Sequence, residues 1–110
     1  MGHPPQQFAL FPEHDDAIAA WFETHGRPVT VRHYDFDRGV FAWRHEGSGV
    51  DSRTLRVTLT SLEDVPAHIL VGFLESAKVW ETLEKAPEKY ALVRRNTQGG
   101  VLLDILDGPL

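Results

Sequence analysis

Histidine is the residue type best supplied for chemistry in this chain, with six among 110 residues. His14 and His25 share one face of a predicted helix. They lie eleven residues apart, about 16 Å at roughly 1.5 Å per residue, too far for one metal ion. His33 and His45 sit on the two strands of a predicted hairpin, with Asp35 beside them. Two imidazoles and a carboxylate can hold zinc or iron. That site exists only in a bulged hairpin register, where His33 and His45 are diagonal neighbours. A tight two-residue turn points them to opposite faces. Ordinary surface or partly buried histidines are the bland alternative, and the reading adopted here assigns no metal and no cofactor.

Acidic pairs occur at Asp15-Asp16, Asp35-Asp37 and Glu63-Asp64. Acid–base chemistry needs carboxylates that converge in a cleft. These fall at a helix start, a turn and a cap, where acids have structural work. Gly47-Ser48-Gly49 and Asn96 to Gly100 could offer backbone N–H groups to a phosphate, but no Lys and helix follow as in a P-loop. No G-x-S-x-G elbow is present. With no cysteine there is no thiolate nucleophile and no disulfide. These patterns lean against an enzyme and leave the class open.

The elements that must carry these residues are legible from periodicity. A helix is expected from about Glu13 to His25, with Pro12 in its first turn, acids at its positive end, and Gly26 and Pro28 as its stop. His14, Ile18, Trp21, Phe22 and His25 share its apolar face. Strands follow at 29–36 and 40–46, flanking Asp37-Arg38-Gly39, and at 53–60. In the third strand Leu55, Val57 and Leu59 alternate with Thr54, Arg56, Thr58 and Thr60. A second helix is predicted over 65–85, with Asp64 as cap and a stripe of Ile69, Leu70, Phe73, Ala77, Trp80 and Leu83. Strands at 90–95 and 101–106 form a second hairpin.

The expected fold is α+β, in the order α-β-β-β-α-β-β, an antiparallel sheet with both helices packed on one face. Residues 1–11 read as a loose N-terminal arm whose Phe8, Leu10 and Phe11 dock on the domain; residues 12–110 read as one domain. No apolar run reaches the roughly 20 residues of a membrane span, and no leader-like pattern opens the chain. A soluble, cytoplasmic protein is the expectation. The net charge of −5 argues against a general nucleic-acid binder. Only the middle third is locally basic, with Arg27, Arg32, Arg38, Arg44, Arg53 and Arg56 against four acids.

The second strand carries the functional expectation. Paired with the third so that Val40 and Ala42 join Leu55 and Val57 beneath the helices, it turns Phe41, Trp43 and His45 outward beside Arg56. Such a face suits a protein partner or a homodimer. The same aromatics next to Arg could stack single-stranded bases. Alternatively the arm or the C-terminal hairpin covers the face, and a one-residue slip in pairing would swap the two faces.

The element order in a small acidic chain is similar to that of the type III secretion chaperones. The resemblance covers order and charge alone. It implies a non-catalytic protein that dimerises and holds an extended partner segment. Phe41, Trp43, His45 and Arg56 are the expected partner-binding residues; His33, Asp35 and His45 are those of a metal- or small-molecule-binding alternative.

Overall fold

The computed structural model describes residues 6–48 and 51–107. A short 3-10 helix over Gln6–Leu10 leads into α1 (Pro12–Thr24). Strands β1 (Val31–Asp35), β2 (Val40–His45) and β3 (Arg53–Thr58) follow. Three helices come next: α2 (Leu59–Asp64), α3 (Ala67–Ser76) and α4 (Val79–Lys85). Strands β4 (Lys89–Arg95) and β5 (Val101–Asp107) follow. Among the described residues the fold is α+β, with four α-helices and five strands in one sheet of order β1-β2-β3-β4-β5.

The sheet is mixed rather than antiparallel, because β3 and β4 pair parallel while the other neighbours pair antiparallel. Parallel neighbours need a long crossover, and α2, α3 and α4 supply it. The single helix expected over 65–85, one of a pair laid on one face, is two helices, α3 and α4, and α2 precedes them. Thr58 ends β3 and caps α2: its Oγ1 accepts from the Ser61 N–H at 3.4 Å. Residues 59 and 60, expected to extend the strand, are thus helical. Pro66 forces the next break, holding Val65 in extended geometry at φ −116° and ψ 120°. The break between α3 and α4 has no such cue. Lys78 takes the left-handed conformation at φ 54° with no Gly or Pro beside it, after the good helix former Ala77, and only tertiary packing calls for it.

One buried cluster joins all of the elements that surround it. Phe8 from the 3-10 helix, Ile18, Trp21 and Phe22 from α1, Leu62 from α2, Leu70 and Leu74 from α3, and Val79, Trp80 and Leu83 from α4 meet the sheet there. The sheet contributes Phe41 and Trp43 from β2, Leu55 and Val57 from β3, and Ala91 and Val93 from β4. Of the arm residues expected to dock, Phe8 meets Phe41 and Trp43 edge-on at 4.9 and 5.1 Å and Phe11 packs against the same cluster, whereas Leu10 is 72% exposed.

Asp15 sets the orientation of α1 on this sheet. Its Oδ1 accepts from the Trp43 indole N–H at 2.8 Å and from Arg32 Nε at 2.7 Å. The acid that reads as a helix-terminus charge is thus also the polar partner of a fully buried tryptophan. Removing it strands an indole N–H in the core and an arginine beside it. Asp15→Ala should cost about 1–3 kcal/mol or more in urea denaturation. In the same experiment Trp80→Ala should cost about 3–5 kcal/mol. Ile69→Ala should stay within about 0.5 kcal/mol, because Ile69 lies 52% exposed despite its place in the predicted stripe.

Candidate functional site

The first hairpin decides where the expected site residues go. Its four-residue connection, Phe36 to Gly39, closes with the Gly39 N–H donating to the Asp35 carbonyl at 2.8 Å, and Gly39 takes φ +62°. Four loop residues keep the parity of a two-residue turn, so His33 pairs with Ala42 and Tyr34 with Phe41. His33 and His45 consequently lie on opposite faces of the sheet. His33 is exposed, and the His45 imidazole binds the Pro28 carbonyl through Nδ1 at 2.7 Å. Among the described residues no group of three or more His, Cys, Asp or Glu converges as a metal site.

Pairing of β2 with β3 matches Phe41 with Val57 and Trp43 with Leu55. Phe41 and Trp43, expected on an open face, are therefore core residues at 1% and 0% exposure. The expected alignment set Val40 and Ala42 on the inner side; the register is offset by one residue, and the two faces change places. Of the four residues expected at a partner surface, Arg56 alone lies on the face turned away from the buried cluster.

That outer face is built from three rows of side chains. One runs His33–Ala42–Arg56–Leu92–Asp104, at the middle. Beside it lie Val31–Arg44–Thr54–Tyr90–Leu106 and Asp35–Val40–Thr58–Arg94–Leu102. Val40, Ala42 and Thr54 are buried there, yet Val40 and Ala42 are not part of the helix-bearing cluster. Longer neighbours cover them, as Arg44 does in donating from Nη1 to Thr54 Oγ1 at 2.9 Å. Tyr90, Leu92 and Leu106 are half-buried and Leu102 is exposed, giving the β4–β5 half an apolar surface.

Arg56 occupies the centre of this face. Its guanidinium carbon stands 4.7 Å from the Tyr90 ring centroid, a cation–π contact. Its Nε is buried and has no hydrogen-bond partner. Arg94, by contrast, is paired with Asp104 at 2.5 Å, and that carboxylate raises its pKa further. The face thus holds three arginines against Asp35 and Asp104, one positive charge in excess on a chain of net −5.

The residues that β4 and β5 bring here were missed from the sequence, although a signal for them exists. In Val101 to Leu106 and Tyr90 to Val93 both alternating sets are apolar but for Asp104. One set faces the core; the other, Tyr90, Leu92, Leu102 and Leu106, has to face something else.

Two open grooves lie elsewhere, at the meeting of α1 with α2 and α3. The larger, about 620 Å³, is lined by Glu13, Asp16, Ala17, Pro66, Ala67 and His68. The smaller, about 370 Å³, passes Leu10, Phe11, His14 and Leu62. His14 is engaged in structure there, its Nε2 lying 2.6 Å from the Val65 carbonyl.

A polar network closes the opposite end of the core. Trp21 donates to Glu75 at 2.6 Å, and His25 stacks on Trp80 at 4.6 Å. Trp80 donates to Glu84 at 2.9 Å, and Glu84 accepts from Arg27 and Arg53 at 2.9 and 2.7 Å. No protein-family model, curated protein or solved structure matches this chain.

The hydrogen bond from Arg53 holds the Glu84 carboxyl below its ordinary value of 4.5; desolvation opposes it, and Trp80 and Arg27 add to the lowering. A pKa lower in the folded state gives stability that is full above the unfolded value and is lost as pH falls through the folded value. Glu84→Gln should therefore melt below wild type at about pH 7. The gap should narrow as pH is lowered through and below 4.5, and thermal melts across that range check it.

Proposed function

We propose that this chain is a non-catalytic interaction module that docks a protein segment on the outer face of its sheet. The observation that supports this reading is the face itself: apolar Tyr90, Leu92, Leu102 and Leu106 lie to one side of an arginine whose buried Nε has no partner among the described residues. Aromatic residues and arginine are what binding surfaces favour.

Size and charge select the occupant. Five strands at roughly 4.8 Å and three rows of side chains span about 300–400 Å². A standard interface takes about 800 Å² from each partner, so an extended segment suits this face better than a globular one. A second copy packed face to face is disfavoured by Arg56. It is the central residue of the central strand, so a two-fold axis through the face would bring two guanidinium groups together. Single-stranded nucleic acid is less well served, since Phe41 and Trp43 are buried and Arg56 covers the Tyr90 ring.

Selection of a random displayed-peptide library on the immobilised full chain tests the reading. Enriched peptides should bind Leu92→Glu at least about tenfold more weakly than wild type, while Ile69→Glu, on exposed α3, leaves binding intact. Equal binding to wild type and to a folded Leu92→Glu protein would place the docking surface elsewhere.

A further inference from the structure

We infer that the outer face recognises an acidic segment, with Arg56 taking a side-chain carboxylate beside apolar contacts on Leu92 and Leu106. This inference rests on the reading of the outer face as a docking surface and names the chemistry of what docks.

Arg56 is the anomaly that carries it. Buried polar groups in folded proteins are nearly always hydrogen-bonded, and an unpaired donor on a charged group is costly. Arg56 has an aromatic ring on one side and the small side chain of Ala42 across the strand, neither of which accepts a hydrogen bond. Its strand neighbours on the face, Thr54 and Thr58, are committed: Thr54 accepts from Arg44, and Thr58 bonds Ser61 in capping α2. The carboxylates of the same face are committed too, Asp104 to Arg94 and Asp35 to the Arg38 backbone N–H at 3.2 Å. The contact with the tyrosine ring restrains the guanidinium in advance, which lowers the ordering cost of a bidentate contact.

The surroundings define the rest of the segment. Leu92 pairs with Arg56 across the parallel β3–β4 ladder, and Leu106 pairs with Tyr90 across β4–β5. An extended chain presents alternate side chains to one surface about 6.7 Å apart, against about 4.8 Å between neighbouring strands. A segment crossing the strands obliquely can thus set an acid on Arg56 with leucine-like side chains on the β4–β5 half. Arg44 lies one row away with no carboxylate of its own among the described residues, and favours a second acid. The rest of this chain is strongly acidic, so long-range repulsion would leave the basic-leaning face as the place where such a segment is held.

The experiment titrates isotope-labelled full chain with an octapeptide alternating Glu and Leu, with its Gln-and-Leu counterpart, and with oligothymidylate, followed by nuclear magnetic resonance. The Glu peptide should move the Arg56 Nε–H signal and the amides of Tyr90, Leu92 and Leu106. The Gln peptide should bind roughly tenfold more weakly at the same residues. Arg56→Gln should abolish the preference, and Arg56→Lys should restore only part of it; spectra otherwise like wild type confirm that both variants fold. Equal binding of the two peptides through the outer face overturns the carboxylate inference and leaves the docking surface standing. Signals of the outer face unmoved by either peptide overturn both. Stronger shifts of those signals by oligothymidylate replace the acidic segment with a phosphate backbone.

Discussion

A tryptophan indole buried inside a protein needs an acceptor, and in this chain the acceptor is Asp15. Much follows from that bond. Trp43 can lie fully buried only on the side of β2 that faces α1, where the carboxylate of its first turn reaches down to it. Arg32, paired directly with Trp43 on β1, shares the same oxygen, so the helix is tied to two adjacent strands at once. Alternation does the remainder. With Trp43 inward, Phe41 is inward and Val40, Ala42 and Arg44 are outward; pairing carries that choice through β3 to β4 and β5. The identity of the outer face is thus a consequence of where one indole finds its hydrogen bond.

The crossover between β3 and β4 places equally firm demands on the chain. It has to leave β3, cross the core, and return parallel, and it does so in three short helices rather than one long one. Each break aims a different apolar set inward: Leu62 from α2, Leu70 and Leu74 from α3, Val79, Trp80 and Leu83 from α4. Glu84 then anchors the last helix to the start of β3 through Arg53 and to the α1–β1 connection through Arg27. Because Trp80 both donates to Glu84 and stacks on His25, this polar network and the aromatic core support each other.

What remains after the core is closed is a sheet face with the chemistry of neither a core nor an ordinary solvent surface. A solvated strand face carries short polar or long charged side chains free to meet water. Here the charged side chains lie along the sheet over small residues, and the outer β4–β5 half is apolar. Arg56 lies over the Tyr90 ring with its Nε buried and unmatched among the described residues. The carboxylates of the same face are engaged elsewhere, Asp104 with Arg94 and Asp35 with the Arg38 backbone.

The sequence by itself determined the class of fold, the first helix to within a residue at each end, all five strands, and the docking of Phe8, because these rest on local periodicity, Pro and Gly signals, and apolar side chains that need burial. It also supplied Arg56 as a candidate. Tertiary structure alone decided three matters. Strand parity turned on a loop of four residues, and Asp37-Arg38-Gly39 is compatible with turns of either parity. The parallel pairing of β3 with β4 joins residues far apart in the chain and has no local signature. The break at Lys78 has no Gly or Pro to signal it, since a left-handed lysine is stable only when the packing on both sides offsets its strain. Faces, partners and sites depend on those non-local choices, which is why the elements were legible and the placement of Phe41, Trp43 and the histidines was not.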